Sequence, residues 1–225
     1  MPIFAPIDWL AAAVFVLSWA GYAWLVDVSR WRDRTLTAAM NKQRRQWMET
    51  MLARENRMLD AQVIAGLQSG AAFFASTSLL AIGAAFALLT TSEQVLGVVQ
   101  DLPFGLQTSR VVWEIKALGL LAIYAYAFFK FGWSVRLFNY ASILIGATPP
   151  SEQAHTNAAK QAIERATHMS VMAGRHFTRG QRAFFFSVGF LGWFASPWLF
   201  LAITLVVLVA LCRRQFAFPA LDLLR

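Results

Sequence analysis

Long stretches without a single charge set the first limit on this chain. Residues 9–26, 61–92 and 183–212 contain no Asp, Glu, Lys or Arg. An α-helix rises about 1.5 Å per residue, so about 20 apolar residues cross a hydrocarbon core about 30 Å thick. Backbone polar groups inside lipid have to be satisfied within the protein, and a continuous apolar run does this as a helix. The three runs therefore predict transmembrane helices over about 7–26, 63–90 and 183–211. Pro197 falls inside the last of these and predicts a kink there.

A fourth span is less clean. Residues 117–129 are uncharged but lie between Lys116 and Lys130. Both lysines can snorkel toward opposite interfaces, which lengthens the span to 111–131. The helix is expected to continue to about 147, where Pro149 and Pro150 stop it. Composition agrees with this membrane reading. The chain of 225 residues is 58% hydrophobic and 14% charged, against about 45–50% and about 25% in soluble domains.

The two hydrophilic segments, 27–60 and 132–182, have helical patterning of their own. Leu36, Met40, Trp47 and Met51 recur on one side of the first. That helix can lie on the membrane or pack against the second segment. Ser151 opens the second, with Glu152 in its first turn. Ala154, Ala158, Ala162 and Ala166 follow as a small-residue stripe suited to close packing. Residues 93–101 suggest a short interfacial turn or helix, with a loop at Pro103 and Gly105. The predicted fold class is all-α: one membrane domain, 1–225, with four transmembrane helices and two helical cytoplasmic segments.

The charge is strongly sided. Residues 27–60 and 130–182 hold 8 and 7 Lys/Arg, while the remaining segments hold 0, 2 and 3. Because positive charge collects on the cytoplasmic side, both long segments are expected inside. With four crossings, the N-terminus and C-terminus are then both expected in the periplasm of a bacterial inner membrane. The net charge of +8 needs no nucleic-acid partner, and no nucleic-acid motif accompanies it. A single cysteine, Cys212, offers neither an internal disulfide nor a Cys-rich metal site. The first apolar run lacks a basic leader and a convincing cleavage pattern, so it reads as a retained helix.

Several motifs in order give the chain a family likeness. They begin with Arg44-Arg45-Gln46-Trp47-Met48 and Arg57-Met58-Leu59-Asp60-Ala61-Gln62. Lys130-Phe131-Gly132-Trp133, Arg136, Asn139-Tyr140 and Ile145-Gly146-Ala147 follow. His176-Phe177-Thr178-Arg179-Gly180, Arg182-Ala183, Trp193 and Pro197-Trp198 complete the series. Together they resemble the bacterial branch of the family called domain of unknown function 599, from the first span to Arg214. Thr178 departs from the family pattern, where Asn is expected more often. The resemblance implies a small multi-span membrane protein and supplies no catalytic residue to carry over.

Three constellations are candidates for function. Arg175, Arg179 and Arg182 are spaced four and three apart on one helix face, with His176 beside them. Arginine forks bind phosphate or carboxylate, so this stripe predicts contact with an anion or a lipid headgroup. Ordinary anchoring, with pairing to Asp60 or Glu55, is the alternative. Lys130, Arg136 and Asn139 are candidates for a cytoplasmic vestibule. Gly66 and Gly70 form a Gly-x-x-x-Gly motif that favours helix packing within or between subunits.

No metal site, cofactor site or catalytic residue is expected. Glu152 and His155 have the Glu-x-x-His spacing of di-iron bundles, but the second motif and extra carboxylates are missing. No Gly-x-Ser-x-Gly or His-Glu-x-x-His motif occurs. The leading functional reading is a self-associating channel or transport-related protein, functioning as a homo-oligomer. The alternative is a non-catalytic membrane scaffold that binds anionic phospholipid, and the third is a membrane-embedded enzyme.

Overall fold

The computed structural model describes residues 4–91 and 109–217. Within them the chain is all-α, with no strand. The expected turn over 93–101 and the loop at Pro103 and Gly105 lie outside the described residues. The helices are α1 (Pro6–Asp27), α2 (Leu36–Leu52), α3 (Met58–Thr90), α4 (Arg110–Gly146), α5 (Asn157–Ala195) and α6 (Pro197–Phe216). By length and composition α1, α3, α4 and α6 can each cross a membrane.

Local chemistry sets the helix starts. The side-chain oxygens of Thr35, Ser109, Thr156 and Ser196 accept hydrogen bonds from Ala38, Val112, Ala159 and Leu199 N–H groups. Each satisfies one of the backbone donors that a helix leaves unpaired in its first turn. The second hydrophilic segment thus becomes a long helix only after Thr156. Ser151–Gln153, where the sequence suggested its start, is a single 3-10 turn.

The expected span 183–211 is two helices. Pro197 has no N–H to continue a helix, and its ring drives the preceding residue into extended backbone. Ser196 accordingly has φ −162° and ψ 154°. The chain reverses there rather than kinking. A Cβ on Gly189 would lie 3.2 Å from the Cα of Thr204, and the Arg214 guanidinium sits 5.2 Å from the Phe185 ring centre. So α6 runs back along α5.

That reversal revises where the ends of the chain lie. Asp8, at the start of α1, accepts a 2.7 Å hydrogen bond from Trp193 Nε1 at the end of α5. Gln215, near the end of α6, exchanges hydrogen bonds with Thr37 on α2. The start of α1 and the close of α6 therefore lie at opposite ends of the bundle. The expectation of both termini on one face came from counting 183–211 as a single crossing.

Two cores are stacked along the bundle. The first is aromatic: Phe15, Phe131, Phe186 and Phe200 are buried where α1, α4, α5 and α6 meet. The second joins Met48 and Met51 of α2 to Ile64 of α3, Leu137, Phe138 and Ala141 of α4, and Ala159, Ile163, Ala166 and Ala173 of α5. Thus α2 packs its apolar face chiefly on α5. The small-residue stripe is shifted from its expected place. Ala158 is exposed and Ala162 half-buried, whereas Ala159, Ile163, Ala166, Ser170 and Ala173 are buried. A strict four-residue spacing drifts about 40° per step around a helix of 3.6 residues per turn. Alternating steps of four and three hold one face toward a neighbour.

Candidate functional site

The end of the bundle formed by α2, the first half of α5 and the close of α6 carries most of the charge. There the predicted arginine stripe divides. Arg182 is almost fully buried; its Nη2 donates to Asp27 Oδ1 at 3.1 Å and its guanidinium covers the Tyr22 ring. Arg179 Nε donates to the other Asp27 oxygen, also at 3.1 Å. Asp27 closes α1, so this three-residue cluster ties α1 to α5. It replaces the expected pairing with Asp60 or Glu55. Arg175 remains exposed. Together with Arg179 and Arg32 it borders a hollow of about 280 Å³. Asp27, Asp33, Thr37 and Asn41 line the same hollow.

His176 leaves the stripe. Its ring meets Trp133 edge-on at 6.4 Å, and its Nδ1 is buried without a hydrogen-bond partner. Lys130, Arg136 and Asn139 lie along α4. Lys130 rests over the Tyr126 ring and Arg136 over Trp133 and Tyr140. Arg136 Nε also donates to the Tyr140 hydroxyl at 2.6 Å, while Asn139 is exposed. Gly66 and Gly70 face outward from α3, and a Cβ on either would meet nothing within 4 Å. They make no close helix contact inside one chain.

Asp60 has a structural role that the sequence did not reveal. It is fully buried and accepts from Trp47 Nε1 at 2.7 Å and from Arg54 Nη1 at 2.5 Å. Arg57 donates to the carbonyls of Thr148 and Pro149 at 2.9 and 2.6 Å, just past the end of α4. A cation there is favoured by the partial negative charge of a helix C-terminus. These contacts give physical roles to motif residues Trp47, Arg57 and Asp60.

Arg44, in the first motif, packs between α2 and α5. Its Nη1 donates to Asn41 at 3.1 Å. A Cβ on Gly174 would fall within 3 Å of three guanidinium atoms of Arg44, so only glycine admits the guanidinium there. Burial pushes this guanidinium below its usual pKa. At the far end, Lys116 is also buried rather than snorkelled. Its Nζ donates to the Trp193 carbonyl at 2.8 Å and lies over the Trp193 ring. Among the described residues no three His, Cys, Asp or Glu side chains gather as a metal site would require.

The model of a protein family of unknown function, DUF599, matches residues 10–220. The chain belongs to that family. No curated protein matches the chain, and no solved structure does. The family contributes a membership and no activity, so the chemistry has to be argued from the residues. Family membership covers all six helices, including the reversal at Ser196 and the Asp27 cluster.

Proposed function

We propose that this protein is a non-catalytic membrane module whose basic end binds anionic phospholipid. The observation that carries the reading is the grouping of cations at one end of the bundle. Once α6 runs back along α5, Arg213 and Arg214 join the 15 Lys/Arg of residues 27–60 and 130–182. The opposite end keeps Arg110 and Lys116. Positive charge collects on the cytoplasmic side, so the basic end and α6's close face the cytoplasm and α1 begins outside. In this orientation α5 is a fifth crossing, carried by residues 183–195 and the turn preceding them.

Arg175 and Arg32 are the cations best placed to meet headgroups: Arg32 has only an exposed 3.4 Å contact with Asp33, whereas Arg179 and Arg182 are held by Asp27. A surface Arg beside anionic lipid contributes about 1 kcal/mol, or about fivefold in affinity. The test is native mass spectrometry of protein released from nanodiscs of phosphatidylglycerol mixed with phosphatidylcholine. Arg32→Gln with Arg175→Gln should reduce retained phosphatidylglycerol by an order of magnitude. Equal retention in the variant and the parent would refute the reading. Orientation is checked with single cysteines at Ala5 and Ala217 in a Cys212→Ser background. Labelling of Ala5→Cys alone in intact cells is the expected result.

One observation favours self-association as a second reading. Phe131, Phe138, Phe186 and Phe200 fill the interior of the single chain, so a passage would have to form between copies. Gly66 and Gly70 on the outward face of α3 offer a surface for such contact. Gly66→Leu should then lower the oligomer mass in nanodiscs and abolish ion flux in liposomes. A monomeric parent protein removes this reading.

A further inference from the structure

A second hollow lies on the face of α2 adjoining the Arg175 surface, and the charge of its described lining is of one sign. It measures about 290 Å³ and is bordered by Arg44 of α2, Gln181 of α5 and Arg214 of α6. Its lining includes no carboxylate. Among the described residues neither arginine has an ion pair. Arg44 donates only to Asn41, and Arg214 lies over the Phe185 ring. Among the described residues the Gln181 amide has no hydrogen-bond partner. By contrast the hydroxyls at the rim are already engaged: Thr37 with Gln215, and Thr178 with the Gly174 carbonyl.

We propose that this hollow is a binding site for a phosphate group, lined by donors from three helices. An arginine has five N–H donors, so most of those on Arg44 and Arg214 are available. A guanidinium drawn into a protein without a counter-ion loses hydration, and an oxyanion restores the lost interactions as charge-assisted hydrogen bonds. Donors arriving from α2, α5 and α6 approach from different directions, which suits a tetrahedral oxyanion with several acceptor oxygens. Leu36, Met40 and Phe177 form the apolar part of the lining and match the glycerol and upper acyl carbons of a lipid. The same chemistry accepts free inorganic phosphate. This site is independent of the Arg175 surface, since the two share only Thr37 among their lining residues.

The test uses the full chain in phosphatidylcholine nanodiscs, with added phosphatidylglycerol in one arm and inorganic phosphate in the other. Bound lipid is read by native mass spectrometry and bound phosphate by phosphorus NMR line broadening. Arg214→Gln removes one donor set. Gly174→Ala keeps every charge but drives the Arg44 guanidinium out of its slot. Each should weaken binding about tenfold or more, the loss expected for charged hydrogen bonds. Lys160→Gln, an exposed cation that borders neither hollow, should leave it unchanged. Sensitivity in the lipid arm identifies a headgroup, and sensitivity in the phosphate arm identifies the free ion. Binding in neither arm, or binding indifferent to both Arg214→Gln and Gly174→Ala, overturns the proposal. If Arg32→Gln with Arg175→Gln lowers lipid retention while these two variants do not, the surface reading stands and this one fails.

Discussion

The two stacked cores are built on different principles. The membrane-side core is filled by large rings. Trp19 stacks on Phe186 at 5.6 Å, Trp193 on Phe200 at 5.0 Å, and Phe131 is held between Phe74 and Phe177. The other core uses methionine and alanine, and polar ties close its edges: Trp47 and Arg54 on Asp60, Arg57 on the carbonyls after α4, and Gln215 on Thr37. In lipid, apolar surface gains little from burial against other apolar surface, so shape-matched rings and close helix approach have to hold the helices together. Where water reaches the protein, the hydrophobic effect operates and small residues suffice. Hydrogen-bonded ions then fix how α2 is placed. Arg44, Arg175 and Arg214, which have no ion pair among the described residues, all lie at the basic end.

Changes that remove a polar tie should therefore cost most. Asp27→Ala leaves Arg182 buried without its partner, and such a loss costs about 3–5 kcal/mol. It should lower the thermal unfolding midpoint in detergent more than any other variant considered. Asp60→Ala strands the Trp47 N–H and one bond of Arg54, a partly exposed side chain. About 2–3 kcal/mol is expected, and proteolysis between α2 and α3 should report it as release of α2. Gly180→Ala attacks the ring-filled core instead. Its Cβ would lie 2.8 Å from the buried Phe131 ring, and overpacking of this kind costs about 1–3 kcal/mol. A smaller loss than for Asp27→Ala sharpens the comparison, and a larger one reverses it. Lys116→Met removes a buried charge together with its single hydrogen bond. Replacement of a buried ion by an apolar side chain of similar volume is close to neutral, within about 1 kcal/mol. A large loss would mean that the far end too depends on its ion.

The family motifs mark this division of labour without explaining it. Arg57 and Asp60 stand three residues apart in the sequence, yet one reaches past the end of α4 and the other receives Trp47 and Arg54. The stripe Arg175, Arg179, Arg182 was legible because helical spacing places it on one face. That Asp27 takes two of its three members was not, since Asp27 is 155 residues away from Arg182. Arg44 and Arg214 drew no attention as a pair for the same reason. The reversal at Ser196 was different, because its signal was present. Ser followed by Pro is the N-cap and first residue of a new helix. Length alone could not separate the cases, since the uncharged run 61–92 is just as long and forms the single helix α3.

By itself, the sequence determined that this is an all-α membrane protein, where most of its helices run, and which segments carry the charge. These properties depend on hydropathy and spacing within about twenty neighbouring residues, a range over which a helix is a local object. Only the tertiary structure decided which cations are neutralised and which are left facing a hollow. It also decided that the start of α1 and the close of α6 lie at opposite ends of the bundle. Those outcomes depend on side chains brought together by helix packing from distant parts of the chain. Hydrogen bonds and close ion pairs need groups within about 3–4 Å of each other, so sequence spacing across separate helices carries no record of them.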